Sequence, residues 1–124
     1  MIVGLGVELI DVVRFGAALD RFGERLRQRV FSEHERAFAQ GRRVDVQSLA
    51  VRFAAKLAAR RALGRPGIAF RDVEVVRHGE DAPTLALHGE AARVARELGV
   101  TRTSVSLTHD PTWCVSHVVL EAGP

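Results

Sequence analysis

Residues 48–63 read SLAVRFAAKLAARRAL, and this stretch determines much of the expected fold. Good helix formers run through it, and a glycine and a proline follow as stop signals, so it predicts a long central helix. Arg52, Lys56 and Arg60 are spaced four residues apart and therefore share one helical face. Two interpretations stay open for that face. It can hold several phosphates, or it can be a solvated basic surface.

The sequence on either side of this helix predicts a single α+β domain over residues 1–124. A buried strand is expected at 2–10, and an amphipathic helix follows, with apolar positions from Phe15 through Phe22 to Leu26. Ser32 and Glu35 form a capping box that opens a short helix. The remaining expected elements are a loop at 41–45, strands at 73–76 and 84–87, a helix at 89–98, and strands at 104–107 and 113–120 joined by a turn around Asp110.

Composition excludes several classes of protein. Hydrophobic residues make up 47% and charged residues 27% of the chain, as in ordinary globular domains. A lone cysteine, Cys114, excludes an internal disulfide and argues against a cysteine-rich zinc site. No apolar run has membrane-spanning length, and the first residues lack the basic segment of a signal peptide. We therefore expect a cytoplasmic protein with no membrane association.

Positive charge is concentrated in the first half of the chain. Residues 1–65 carry 13 arginine or lysine residues against 7 acidic ones, whereas residues 66–124 carry 5 against 8. A basic half can attract nucleic acid, phosphorylated small molecules or an acidic protein. Nucleic acid ranks low among these partners, because Trp113 is the single tryptophan and the chain has no tyrosine for base stacking.

Glu8 follows two glycines, Gly4 and Gly6, on the first predicted strand. Glycines at these positions permit close approach of the backbone to a neighbour or a ligand, and the carboxylate can then point at a cation. The alternative is a tight strand with a solvated glutamate.

Ser106, His109 and Asp110 invite comparison with a catalytic triad, but neighbours along a strand alternate between its two faces. Triads are recognised by geometry rather than by adjacent letters, so nucleophilic hydrolysis is disfavoured. The four other histidines show no metal-ligand spacing and are interpreted as surface or strand residues: His34, His78, His88 and His117.

Taken together, these stretches resemble the small, single-copy phosphopantetheinyl transferases of the holo-acyl-carrier-protein synthase type. Members open with a glycine-x-glycine strand that leads to an acid, followed by a helix bearing an arginine. Their central helix carries arginine-phenylalanine-alanine-alanine-lysine, and their last hairpin carries valine-serine-x-(serine or threonine)-histidine. The matching segments occur here in order at 4–8, Arg14, 52–56 and 105–109, with further similar text at 31–35 and 70–75.

The resemblance implies a compact α+β fold, with antiparallel strands packed on a long central helix, that forms a homotrimer with active sites between subunits. It also implies coenzyme A as substrate, Mg²⁺ as cofactor, and an acyl carrier protein of fatty-acid or polyketide biosynthesis as partner. By this resemblance Glu8 binds the metal, and catalysis involves Glu8, Lys56 and His109. The residues expected to bind coenzyme A are Arg52, Lys56, Arg60, Arg61, Ser106, Thr108 and His109, and those expected to dock the carrier are Arg14, Arg21 and Arg25.

One departure from the family pattern bears directly on activity. The resemblance implies a second metal-binding glutamate directly after Lys56, where this chain has Leu57, and an aspartate where it has Glu8. Leucine can neither bind magnesium nor accept a proton. The alternatives for a replacement acid are Asp11, Asp110 and a residue from a neighbouring subunit.

Three functions follow from this departure. The first is phosphopantetheine transfer with a modified metal site. The second is binding of a carrier protein or its acyl intermediate without transfer. The third is different chemistry on a carrier-bound chain, with His109 as acid or base.

Overall fold

A computed structural model describes residues 1–40 and 45–124, and the predicted α+β class and order of elements are confirmed. The predicted loop at 41–45 lies outside the described residues except for Asp45, which begins the central helix. The elements are, in chain order, β1 (Ile2–Asp11), α1 (Val12–Val30), α2 (Glu33–Ala39), α3 (Asp45–Leu63), β2 (Val73–Val76), β3 (Thr84–Leu87), α4 (Gly89–Glu97), β4 (Val100–His109) and β5 (Trp113–Ala122), with one 3-10 turn at Phe70–Asp72 before β2.

The main sheet has three antiparallel strands in the order β1-β5-β4. Its last two strands are longer than the sequence predicts: β4 also begins earlier, at Val100, and β5 ends two residues later, at Ala122. The turn between them is tight. Asp110 Oδ1 accepts hydrogen bonds from the backbone N–H groups of Thr112 at 2.8 Å and Trp113 at 2.7 Å, which confirms the predicted turn. Pairing therefore continues to His109 opposite Cys114. β2 and β3 form a separate two-stranded antiparallel hairpin.

Glycines let β1 approach α3 at backbone distance. A Cβ on Gly6 would lie 1.8 Å from the carbonyl oxygen of Ala58, and one on Gly4 would lie 2.2 Å from that of Ala62. No side chain fits in either place, because both distances are far below a van der Waals contact. The close approach expected from the sequence is confirmed, and it fixes the face of β1 that lies toward the helix.

The hydrophobic core consists of two clusters that both use α3. The first joins α1 and α2 to the first half of α3, with Phe15, Phe31 and Leu49 among its buried residues. The second joins the second half of α3 to α4 and the sheet, with Val94 and Val118 among its members. Because α3 is buried against both clusters, nearly all of its faces meet protein rather than water.

Helix α1 is interrupted at Gly23, which adopts φ 59° and ψ −139°. This left-handed backbone suits glycine, which has no Cβ to clash. The helical spacing predicted from Phe15 to Leu26 therefore does not continue through residue 23. Phe22, predicted on the buried face, is 54% exposed.

The predicted capping box at the start of α2 is confirmed. Ser32 Oγ accepts the backbone N–H of Glu35 at 3.2 Å, and Glu35 Oε1 accepts that of Ser32 at 2.8 Å. Within 1–40 and 45–124, none of the helices combines the length and apolarity needed to cross a membrane.

Candidate active site

Strand β1 places Glu8 in a pocket of about 530 Å³ beside the second half of α3. Side chains alternate along a strand, so Glu8 faces α3 as Gly4 and Gly6 do. Its side chain is 16% exposed, and its Oε1 accepts a hydrogen bond from Arg61 Nε at 2.5 Å. The described residues that line the pocket are Glu8, Leu57, Arg60, Arg61, Gly64 and Pro66.

Leu57 lies in the same pocket as Glu8, at the position where the resemblance implies a second carboxylate. Glu8 is the one acid among the described lining residues, and its carboxylate already forms an ion pair with Arg61. No group of three or more potential metal ligands occurs anywhere in the described part of the chain. The residues present therefore do not fit a magnesium site built on two protein carboxylates.

Neither acid named above as a replacement lines this pocket. Asp11 caps α1 by accepting the backbone N–H of Arg14 at 3.1 Å. Asp110 accepts the two backbone N–H groups of the hairpin turn, which hold the pKa of its carboxyl below the usual value.

The predicted basic face of α3 points inward, so its interpretation as a solvated surface is wrong. Arg52 is 3% exposed and Lys56 is fully buried. Each cation of this face lies over an aromatic ring, at cation-to-centroid distances of 4.5 Å for Arg52 on Phe38, 5.8 Å for Lys56 on Phe31 and 3.7 Å for Arg60 on Phe70. The three cations do not form one continuous surface for phosphates.

Lys56 is bound within the core. Its Nζ lies 2.9 Å from Glu35 Oε1 and donates to the backbone carbonyls of Phe70, at 3.0 Å, and Val73. Burial lowers the pKa of Lys56, and the Glu35 carboxylate partly offsets that effect. Three acceptors use all three donors of the ammonium group. The structure does not bring Lys56 to the Glu8 pocket, and this geometry fits a role in joining α2, α3 and β2.

Arg52 and His109, both predicted site residues, meet in a second pocket of about 130 Å³. Arg52 Nη1 donates to Ser48 Oγ at 2.9 Å, and His109 Nδ1 lies 2.7 Å from Gln47 Oε1. Burial lowers the pKa of His109, the charges of Arg52 and Arg77 lower it further, and Asp110 opposes them. His109 is therefore held neutral near pH 7. The described lining residues are Phe38, Ser48, Arg52, Arg77, Gly79, Glu80 and His109.

The two pockets lie at different places along α3. Arg52 and Arg61 are nine positions apart, which corresponds to roughly 13 Å along a helix. Ser106 and Thr108 line neither pocket, because both are exposed on β4 opposite His117 and Val115. The predicted coenzyme A residues therefore do not converge within one chain.

The three predicted carrier-docking arginines are exposed on α1, but they do not share one continuous helix. Arg14 and Arg21 precede the break at Gly23, and Arg25 follows it. Arg14 also lines an open pocket of about 510 Å³ with Phe53 and Trp113, among others.

The comparisons with known proteins show the family of this chain. The family model described as the 4'-phosphopantetheinyl transferase superfamily matches residues 4–114. The chain belongs to this superfamily. It is 41% identical to a holo-[acyl-carrier-protein] synthase of Geobacter sulfurreducens over 98% of both chains. It is 46% identical to that of a Methylobacterium species, over 98% of this chain and 96% of the relative.

Solved structures of the superfamily share the fold. The holo-[acyl-carrier-protein] synthase of Neisseria meningitidis superposes with a TM-score of 0.85 at 28% identity, covering 98% of this chain and 99% of that one. That of Bacillus anthracis, in complex with CoA (3',5'-ADP), gives a TM-score of 0.79 at 30% identity over 99% of each chain.

This chain has the scaffold of the phosphopantetheinyl transferases. Leu57 lies in its pocket at the position where the resemblance implies a glutamate. Arg77, Phe38 and Phe70 are neighbours of the site that sequence reasoning missed, because no local pattern shows which ring a distant cation will cover. The one sequence signal for Arg77 is a basic residue directly after a predicted strand.

Proposed function

We propose that this chain transfers 4′-phosphopantetheine from coenzyme A to a serine hydroxyl of an acyl carrier protein. The observation that carries the proposal is the Glu8 pocket, where two arginines meet a glutamate in a chain with full-length holo-[acyl-carrier-protein] synthase relatives. The Bacillus anthracis relative, described in complex with CoA (3',5'-ADP), supports coenzyme A as the donor. The reaction is assigned to the cytoplasm, as expected from the sequence.

The transfer requires positive charge beside the diphosphate of coenzyme A. The serine oxygen attacks the β-phosphorus, the bond from that phosphorus to the bridging oxygen breaks, and 3′,5′-adenosine diphosphate leaves. Guanidinium groups stabilise the negative charge that develops on the leaving phosphate. Arg60 and Arg61 line the pocket and are assigned this role, which the contact of Arg61 with Glu8 supports. No step is assigned to magnesium, since Leu57 offers no ligand atom.

His109 is the residue we assign to accept the serine proton. A neutral imidazole is needed for this step, and the lowered pKa of His109 keeps the ring neutral near pH 7. In one chain His109 lies in the second pocket, beside Arg52. The assignment therefore requires a neighbouring copy to present its second pocket to the Glu8 pocket.

We propose a homotrimer, as the resemblance implies. The outer face of β1 carries Leu5, Val7 and Leu9, which are 61%, 45% and 60% exposed. The neighbouring strand β5 places Val119 opposite Leu5 and Val115 opposite Leu9. An apolar sheet face of this kind in a soluble protein marks an interface. In the proposed trimer, three copies pack through this apolar face. The face belongs to the same three-stranded sheet that carries Glu8 and His109.

Helix α1 is the proposed docking surface for the carrier protein. Arg14 and Arg21 are exposed on its first segment, and Arg14 lines the open pocket together with Trp113. Positive charge on this surface would speed the encounter with an acidic carrier and would orient it.

Intact mass spectrometry of the carrier tests the proposal. Purified protein, apo-acyl carrier protein, coenzyme A and Mg²⁺ are incubated together, with an Arg61→Ala variant as the site control. We expect a phosphopantetheine-sized mass gain with the native chain and a rate at least about tenfold lower with Arg61→Ala. No gain with the native chain, together with a gain for Leu57→Glu, would contradict transfer and would indicate carrier binding without turnover.

A further inference from the structure

We propose that the Glu8 pocket binds the diphosphate of coenzyme A directly through Arg60 and Arg61, without a divalent cation, while Glu8 holds Arg61 in place. The inference rests on the proposed function, because it describes how that site takes its donor substrate. It gives Glu8 the role of a positioning residue rather than a metal ligand.

The charge of the pocket is the first reason. Two carboxylates beside a diphosphate would repel it, and a bound cation would be needed to offset that repulsion. Here Leu57 removes one carboxylate, and Arg61 neutralises the other through the contact at 2.5 Å. The charged residues of the described lining are one glutamate and two arginines, so the pocket is positive without any metal.

The geometry of Arg61 is the second reason. Its bond to Glu8 engages Nε, and the Arg61 side chain makes no other hydrogen bond with the described residues. The Nη1 and Nη2 amino groups therefore remain for a phosphate, and the side chain is 66% exposed toward solvent. A guanidinium presents its N–H donors in a planar fork that matches phosphate oxygens. A carboxylate bound to one edge of the guanidinium fixes the direction in which the opposite edge points.

Arg60 provides the second cation in a partly dry environment. Its guanidinium lies 3.7 Å from the centroid of Phe70, and its Nε is buried with no hydrogen-bond partner among the described residues. The buried Nε and the ring contact keep water from part of this cation, and the same burial lowers the pKa of Arg60. A poorly solvated cation loses less hydration when it meets a phosphate, and the low local dielectric strengthens the attraction.

Leu57 also disfavours the ion itself. Magnesium dehydrates reluctantly and usually keeps several water ligands that must hydrogen-bond to their surroundings. The leucine side chain gives an apolar wall where those waters would need acceptors. The pocket is thus suited to an anion held by arginines and poorly suited to a hydrated cation.

Calorimetric titration of coenzyme A into the native protein tests the inference, once in EDTA and once in excess Mg²⁺. We expect dissociation constants that agree within about twofold, since no metal takes part in binding. Binding that Mg²⁺ strengthens by about tenfold or more would overturn the inference and would leave the proposed transfer standing. Absence of coenzyme A binding in both buffers, with the protein folded by circular dichroism, would overturn the proposed function as well.

Two matched variants at residue 57 give a second test. Leu57→Glu restores a carboxylate, so its affinity for coenzyme A in EDTA should fall by about tenfold through repulsion of the diphosphate, and Mg²⁺ should recover it. Leu57→Gln has the same size without the charge and should show no difference between the two buffers. Equal affinities of Leu57→Glu in both buffers would contradict the inferred position of the diphosphate.

Variants of the charged residues complete the test. Arg61→Gln should weaken coenzyme A by about tenfold or more in EDTA, whereas Arg96→Gln on the exposed face of α4 should not change it. Glu8→Gln keeps an oxygen that accepts from Arg61 and should retain affinity within about threefold. Loss of binding in Glu8→Gln but not in Arg61→Gln would identify Glu8 as the ligand-binding group and refute the inference.

Discussion

At the scale of single residues, Lys56 shows how a site residue inferred by resemblance can take a structural role. Its ammonium group is fully buried between Glu35 and two backbone carbonyls. Glu35 itself also accepts the backbone N–H of Val75 at 2.8 Å, so the pair connects α2, α3 and β2. A buried charge that loses its partner is costly because nothing else compensates it.

Lys56→Met is therefore expected to lower the free energy of unfolding by about 3–5 kcal/mol. Urea denaturation at one fixed protein concentration measures it, because assembly would otherwise shift the midpoint. The double variant Lys56→Met, Glu35→Gln removes both charges and should recover part of the loss. A loss below about 1 kcal/mol in the single variant would show that the buried pair is not needed for the fold.

His109 gives a prediction for the effect of pH. Burial and the charges of Arg52 and Arg77 place its folded pKa below the ordinary value of 6.5. The folded state thus prefers the neutral ring, so this contribution to stability is present above the unfolded pKa and is lost as the pH falls through the folded pKa. An NMR titration of the His109 ring should give a midpoint below 6.5.

Two variants of neighbouring charges test the cause of this shift. Arg77→Gln removes a positive charge and should raise the midpoint of His109, whereas Asp110→Asn removes a negative charge and should lower it. A midpoint that moves in the same direction in both variants would exclude the electrostatic explanation.

At the scale of elements, the contact of β1 with α3 determines where Glu8 points. Gly6→Ala would place a methyl group 1.8 Å from the Ala58 carbonyl oxygen, so the strand would have to move away from the helix. We expect a loss of about 3 kcal/mol in the free energy of unfolding, together with weaker coenzyme A binding. Gly67→Ala is the matched control, because no atom lies within 4 Å of its added Cβ. Equal stabilities of the two variants would contradict the close packing.

Helix α1 carries the prediction about the carrier protein. Arg14→Glu and Arg21→Glu should each slow association with an acidic acyl carrier protein, by about tenfold at low salt and less at high salt. Stopped-flow or surface-binding kinetics measures the rate. Arg96→Glu makes the same change of charge on exposed α4 and should leave the rate nearly unchanged. If all three variants slow association equally, only the net charge matters and α1 is not the docking surface.

The types of element could be predicted from the sequence, but the orientation of α3 could not. Periodicity shows that Arg52, Lys56 and Arg60 share a face, because that follows from helical geometry alone. Periodicity does not show that this face is buried. The face is buried because α3 lies between two core clusters and its alanines are small enough to pack on every side. The aromatic rings over these cations come from other elements, so no local spacing reveals them.

At the scale of the whole molecule, the site is divided between two pockets on one chain. Glu8, Arg60 and Arg61 line the first, while Arg52 and His109 line the second. The family resemblance in the sequence named members of both groups, and their roles remain a prediction. It could not show that they lie apart within one chain, since convergence depends on how copies assemble.

Disruption of the outer sheet face tests the assembly. Leu5→Glu places a charge on the exposed apolar face of β1 and should convert a trimer to a monomer by size-exclusion chromatography with light scattering. Leu98→Glu, at a 39% exposed leucine after α4, is the matched control and should remain trimeric. A native protein that is monomeric at all concentrations would rule out the proposed trimer.

A crystal structure of the native protein with coenzyme A would show where the diphosphate binds. We expect the diphosphate within hydrogen-bond distance of Arg61, whose Nε remains on Glu8, with Leu57 beside it. A diphosphate bound elsewhere, with the Glu8 pocket empty, would contradict the account.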